Sequence, residues 1–330
     1  MADLRAGLIG LGMMGRHHAR VLGSLDGVDL VAVADPGGDV HGVAGGRPVY
    51  EDVQQLVDAG IDYCMVAVPT IYHEQVGLTL AEAGVHAIIE KPLAQDTPSA
   101  VRLAEAFKAK GLVGAVGHIE RYNPALQQAR ERLESGQLGD VYQVTTRRQG
   151  PFPARIADVG VVKDLGTHDI DLTAWVTQQE FTSVAARTAY KSGREHEDLV
   201  AIVGQLSKGT VTNHLVNWLS PLKERVTIIT GERGTLVADT LTADLTYYVN
   251  GEVATTWDAI AKFRGVSEGD VVRYAIAKPE PLRVEHEMFR DAVLGKEGAD
   301  IVTMEQGLTT VRVAEACIES AQTKKTVDLT

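Results

Sequence analysis

Cysteine is nearly absent from this 330-residue chain, which has only Cys64 and Cys317. They lie far apart in apolar stretches and neither belongs to a Cys-x-x-Cys pair. Buried free thiols are therefore expected, rather than a disulfide or a metal site. Also missing is any apolar run near the ~20 residues that a membrane helix needs. The start, Met1-Ala2-Asp3-Leu4-Arg5, enters a strand-like run with no basic-then-apolar export signal. A cytoplasmic protein without a membrane partner is the expectation. Positive charge is in deficit as well: 32 Lys and Arg face 44 Asp and Glu, for a formal charge of −12. Most of such a surface repels a phosphate backbone, which argues against nucleic acid as a partner. A small anionic substrate needs only a local group of arginines or lysines, and stays open.

What is present suits a globular protein. Hydrophobic residues make up 45% and charged residues 23%, enough to bury a core in each of two domains. The first part alternates near-continuous apolar runs (4–10, 29–35, 63–68, 86–90 and 113–118) with amphipathic helical patterns at 13–25, 72–83 and 97–110. That rhythm predicts a parallel sheet covered on both faces. After residue 120 come a helix at 124–135, a strand at 140–148 and a helix at 168–176. Strand-like runs then follow in series at 182–190, 199–206, 210–218, 225–231 and 234–239, joined by turn residues such as Ser207-Lys208-Gly209. Helical patterns return at 282–294 and 305–322, while 250–281 gives no clear pattern. The expected fold class is α/β: an N-terminal Rossmann domain (1–120), then a C-terminal α+β domain (121–330) on a large, mostly antiparallel open sheet. The helix at 305–322 is expected to pack back on the first domain.

Gly10-Leu11-Gly12-Met13-Met14-Gly15 fits G-x-G-x-x-G between a strand and a helix. Gly10 permits the tight turn, Gly12 lets the backbone approach a pyrophosphate, and Gly15 allows close helix–strand packing. The helix start, Met13 and Met14 included, offers free N–H groups to the phosphates. The second strand ends at Asp35, and 35 − 15 gives the 20 residues expected for a ribose-binding acid. No arginine or lysine follows in Pro36-Gly37-Gly38-Asp39, so NAD is favoured over NADP.

Glu90-Lys91-Pro92 closes a strand at the sheet's carboxyl end, where open α/β sheets bind their ligands. Asp164 and His168 are four apart and share one face if a helix begins there. An acid beside a histidine can orient the ring; a helix-capping Asp with an incidental His is the plainer alternative. His17 and His18 read as helix-face packing, because no third metal ligand accompanies them. Trp175, Trp218 and Trp257 read as core or interface.

Taken together, Gly10–Gly15, Glu90-Lys91-Pro92 and Asp164-x-x-x-His168 resemble the glucose–fructose oxidoreductase, inositol dehydrogenase and rhizopine-catabolism (Gfo/Idh/MocA) family over nearly the whole chain. The resemblance implies that Lys91, Asp164 and His168 are the catalytic set, that Lys91–Pro92 is cis, and that the second domain's sheet forms a homodimer or homotetramer. It also implies a cofactor loop at Pro69, Thr70 and His73, with Glu90 and Lys91 beside the cofactor. Arg121 and Asn123 match a family motif, though Asn123 can equally cap the helix after Pro124. The stretches Gly117–Ala125 and Arg147–Arg155 are similar to the branch that oxidises the 3-hydroxyl of UDP-N-acetylglucosamine. Arg147, Arg148 and Arg155 would suit a pyrophosphate, or else are ordinary surface arginines. The expected substrate-binding residues are Lys91, Arg121, Asn123, Arg148, Arg155, Asp164 and His168, with no metal. Lys163 departs from the family pattern, which leads one to expect an apolar residue there. A free polyol such as inositol, an NAD-dependent glycosidase and a non-catalytic sensor are the other readings that the resemblance allows.

Overall fold

The computed structural model describes residues 3–153, 159–251 and 267–330. It divides into two compact units, Met1–Ile119 with Glu280–Glu315, and Glu120–Pro279 with Ala316–Thr330.

The first unit is built on a six-stranded sheet: β1 (Leu4–Ile9), β2 (Val28–Ala34), β3 (Val49–Tyr50), β4 (Tyr63–Val66), β5 (His86–Glu90) and β6 (Gly114–Gly117). The order is β3-β2-β1-β4-β5-β6, and every pairing is parallel. The direction of winding reverses between β1 and β4, the place where such sheets open a ligand crevice at their carboxyl ends. Four helices connect these strands: α1 (Met13–Leu22), α2 (Val53–Asp58), α3 (His73–Glu82) and α4 (Thr97–Ala109). Asp52 and Asp96 start α2 and α4 by accepting the N–H of Gln55 and Ser99. Neighbouring strand residues supply opposite faces: Ile88 joins the cluster of Leu8, Leu22, Leu30 and Met65, while Ile89 joins that of Leu80, Leu103 and Phe107. Both faces are covered, which accounts for the unbroken apolar runs. The sequence reading lacked β3 and α2; each is too short for its pattern to declare itself.

The second unit begins with α5 (Pro124–Glu134), β7 (Val141–Pro151) and α6 (Thr167–Thr177). Seven strands follow: β8 (Phe181–Ala189), β9 (Leu199–Leu206), β10 (Val211–Asn217), β11 (Leu219–Gly231), β12 (Gly234–Asp239), β13 (Asp244–Gly251) and β14 (Ser267–Arg273). After α7 (Pro281–Val293) and α8 (Met304–Thr323), β15 (Val327–Asp328) closes the nine-stranded sheet against β8. Only β7 and β10 pair in parallel; the other ladders are antiparallel. Leu126, Ala129, Leu172 and Trp175 of α5 and α6 pack on Val144, Ile229, Leu236 and Leu245. Burial along β9 alternates, with Val203 exposed on the opposite face, the signature of a sheet covered on one side.

Cys64 and Cys317 are buried free thiols. Burial pushes both upward, Cys317 to about 12. Among the described residues, no helix is long and apolar enough to cross a membrane.

Candidate active site

The glycine loop has a separate steric reason at each position. Gly10 has φ +93°, and a Cβ there would stand 2.5 Å from the Ala67 backbone, so no other residue fits. A Cβ on Gly15 would meet the Gly10 carbonyl oxygen at 2.0 Å, which brings α1 directly onto the turn. Gly12 is the reverse case: a Cβ would meet nothing within 4 Å. Helix α1 starts there with no side-chain cap and no acid in its first turn. The first N–H groups, those of Met13 and Met14 among them, have no intrahelical acceptor. Asp35 sits one residue beyond β2, its Oδ2 accepting the N–H of Leu11 and its Oδ1 that of Gly37, each at 2.8 Å. Both oxygens keep a further lone pair for ribose hydroxyls. An open backbone face, an uncapped helix start and a fixed acid fit a dinucleotide.

At the end of β5 the Lys91–Pro92 peptide is cis. Glu90 is buried and folds back on its own chain. Its Oε2 accepts the Lys91 N–H at 3.1 Å, and its Oε1 lies 2.9 Å from His18 Nε2 on α1. Burial pushes the Glu90 carboxyl up, but the His18 hydrogen bond and the nearby charges of His18 and Lys91 more than offset it, holding the group below its usual range. His73, also buried, lies 2.9 Å from the Pro92 carbonyl and 3.0 Å from that of Val68, tying the end of β4 to the loop after β5. Burial lowers its pKa. The polar atoms of Glu90 and His73, both expected beside the cofactor, hold the Lys91–Pro92 loop. Pro69 is exposed and Thr70 half-buried, at the head of the turn Thr70–Tyr72.

In the second unit Val162–Gly166 form a π-helical turn that runs directly into α6. Asp164 on that turn is 4% exposed, and His168, four residues on, is half-buried. The Asp164 N–H donates to Gly160 O at 3.0 Å, and Glu197 Oε1 accepts the Val162 N–H at 3.0 Å. A Cβ on Gly160 would fall 2.0 Å from the Glu197 carboxylate, so a larger residue where the turn begins would displace that side chain. Such turns recur at functional sites, and nothing in the apolar periodicity announces this one.

Residues beside His168 form a buried ion network. Arg148, 3% exposed, donates from Nε to Asp169 Oδ2 at 2.8 Å and from Nη1 to Glu120 Oε1 at 2.9 Å. Arg225 reaches Glu120 at 3.4 Å. Burial pulls the Arg148 guanidinium down, but Asp169 and Glu120 outweigh it and the group is held above its usual value. Burial also raises Glu120, whereas Arg148 and Arg225 outweigh it and the carboxyl ends below its usual range. Asp169 is pushed up by burial in spite of Arg148.

Arg147 and Arg148 are not brought together on one face. Arg147 and Arg148 are consecutive on β7, so they point to opposite faces, and the exposed Arg147 pairs with Glu224. Arg148 already has two carboxylate partners, Asp169 and Glu120. Arg121 is likewise buried and grips Asp171 from Nε at 2.8 Å and Nη2 at 2.6 Å. Asn123 caps α5, accepting the Ala125 N–H at 3.1 Å and donating to Thr240 O at 3.0 Å. Arg155 and Trp257 lie outside the described residues, while Trp175 and Trp218 are buried. Sequence reasoning placed His18 in helix packing but missed its partner Glu90, and missed Asp169 and Asp171 as structural partners. A polar group on the buried face of a helix, as at His18 among Gly15, Ala19 and Leu22 of α1, was the available signal.

Two family models match the chain. One, described as an oxidoreductase family with an NAD-binding Rossmann fold, covers residues 4–118; the other, the same family's C-terminal alpha/beta domain, covers 130–329. UDP-N-acetylglucosamine 3-dehydrogenase of Acidithiobacillus ferrooxidans is 32% identical over 216 residues, 64% of this chain and 66% of that protein. Inositol 2-dehydrogenase 2 of Saccharopolyspora erythraea is 31% identical over 203 residues, 59% of this chain and 60% of that one. The matched segments thus span just under two thirds of these relatives. The solved structure of the A. ferrooxidans enzyme superposes with TM-score 0.83 at 26% identity, over 98% of this chain and 99% of that one.

Proposed function

Because the chain belongs to the Gfo/Idh/MocA oxidoreductase family, we propose that it is an NAD-dependent dehydrogenase that oxidises a sugar or polyol hydroxyl to a ketone. NAD, when bound, supplies the hydride acceptor. The backbone at Gly10, Gly12, Met13, Met14 and Gly15 holds the pyrophosphate. Asp35 would accept from the ribose hydroxyls and repel a 2′-phosphate, and Pro69 and Thr70 would line the cofactor site. His168 removes the proton from the substrate hydroxyl, with Asp164 orienting the ring. Lys91 hydrogen-bonds the same oxygen and stabilises the charge that grows on it. The observation that supports this best is the π-helical turn, which sets a buried carboxylate and a half-buried imidazole one turn apart at the head of α6.

For the substrate we favour the 3-hydroxyl of a UDP-N-acetylhexosamine, on the similarity to the A. ferrooxidans enzyme. The ion pairs of Arg147 and Arg148 favour a second reading, a free polyol, since both guanidiniums already hold carboxylates. NADH formation across a panel of nucleotide sugars and free polyols decides between them. Turnover by His168→Ala or Lys91→Ala equal to wild type, with NAD binding intact, would sink the catalytic assignment. The exposed sheet face around Val203 and Val211 is our proposed surface for a homodimer or homotetramer, testable by light scattering.

A further inference from the structure

Behind Lys91 the first unit buries four ionisable side chains that the proposed chemistry does not use. His18 and His286 are fully buried, and Glu90 and Glu285 nearly so. His18 Nε2 lies 2.9 Å from Glu90 Oε1, and His18 Nδ1 lies 2.9 Å from His286 Nε2. The two rings meet edge to face at 78°. We propose that Glu90, His18 and His286 form a buried positioning chain that keeps the Glu90 carboxylate charged, so that it grips the Lys91 backbone N–H and fixes the direction of the Lys91 side chain. This rests on the reading that Lys91 acts on the reacting oxygen.

Proton counting supports the chain. An ionised carboxylate only accepts, so the proton on His18 faces Glu90. His18 Nδ1 and His286 Nε2 share a single hydrogen bond on the far side of the ring, which fixes the His18 plane. His286 Nδ1 and Glu285 Oε1 are buried with no hydrogen-bond partner among the described residues. Burial drives His286 well below its usual value, and Glu285 well above. Neither Glu285 nor His286 therefore adds a charge beside the Glu90 carboxylate. The groups facing that charge are His18 from α1, Glu285 and His286 from α7, His73 from α3, and Lys91 from its own strand end. Strand β6 brings only Gly117, where a Cβ would stand 3.3 Å from the Glu90 Cα. Among the described residues, His18 Nε2 is the hydrogen-bond partner of Oε1.

Removing the His18 donor leaves burial to protonate Glu90, and the hold on Lys91 then depends on pH. In His18→Leu, kcat falls about a hundredfold near pH 6 and recovers to within about threefold of wild type near pH 9, with KM within about twofold. Glu90→Gln loses kcat by a factor that does not change with pH, and His18→Gln, which keeps an N–H at the same reach, recovers the wild-type profile. A readout without turnover is the infrared band of a protonated carboxyl. At neutral pH His18→Leu gains one such band over wild type, and His18→Leu/Glu90→Gln loses it again. A pH-independent defect in His18→Leu, or no added band, overturns the chain. Wild-type turnover in Lys91→Ala would instead overturn the catalytic reading, and the infrared result stands apart from that outcome.

Discussion

His214 on β10 allows one side chain to be weighed on its own. It is fully buried, its Nδ1 is 2.9 Å from Thr146 Oγ1, and burial lowers its pKa to about 4. The Thr146 hydroxyl has one proton, which serves Asp169; it must therefore accept from Nδ1–H, and the ring is the neutral Nδ1–H tautomer. In the unfolded chain the same ring titrates near ~6.5. Between those values the unfolded state binds a proton that the folded state refuses, so stability falls as pH drops from about 6.5 to about 4. The gap of ~2.5 units, at ~1.4 kcal/mol each, amounts to roughly 3 kcal/mol from this one group.

His214→Gln keeps an N–H for Thr146 and cannot charge. Urea unfolding of the full chain, followed by tryptophan fluorescence, reads the second unit, where Trp175 and Trp218 are buried. Near pH 7 the variant is less stable than wild type by about 1 kcal/mol, an ordinary value for a polar replacement. Near pH 4 the order reverses, because wild type alone has lost the roughly 3 kcal/mol. All other titrating groups are common to both proteins and cancel in the difference. A gap between the two curves that stays constant within about 0.5 kcal/mol across this range refutes the reasoning.

Gly12→Ala leaves thermal stability within about 1 kcal/mol of wild type but weakens NADH binding about tenfold or more, read by fluorescence titration, because its added methyl enters only open space. Gly15→Ala does the opposite damage, with a loss of about 2 kcal/mol or more in urea unfolding, because its methyl collides with the Gly10 carbonyl. Arg148→Met destabilises by about 3–5 kcal/mol, since Asp169 is left buried without its cation; adding Asp169→Asn restores part of the loss, and a double variant as unstable as the single one contradicts the pairing. Cys64 and Cys317 stay unreactive toward an aromatic disulfide reagent in the native protein and react only on unfolding, so rapid labelling of folded protein would contradict their burial.

Legibility followed the strength of the local pattern. Strands such as Tyr63–Val66 and His86–Glu90 are buried nearly throughout, and a sheet covered on both faces writes itself as apolar runs. The glycine loop and Asp35 were readable because their spacing follows a known dinucleotide-binding pattern. Val49–Tyr50 was not, since two residues carry no period. β13 was missed because Asp244–Gly251 mixes polar and aromatic residues beside a stretch without pattern. The site was legible as residue types and illegible as partners. Arg148 in sequence is a cation next to Arg147. Only strand alternation and the fold's placement of Glu120 and Asp169 turn it into a buried anchor.

Each unit places its proposed reacting side chain next to buried charge. In the first, Lys91 follows Glu90, which is held by His18; in the second, His168 precedes Asp169, which is held by Arg148 and by Thr146. Buried ion pairs are poor sources of stability, because desolvation consumes most of their attraction and apolar replacements of the same volume often do as well. What such pairs supply is direction. A carboxylate with fixed donors on defined oxygens permits few orientations of the backbone beside it, whereas an apolar contact permits many. Their location one residue from Lys91 and one from His168 is what a demand for aim, rather than for stability, would select.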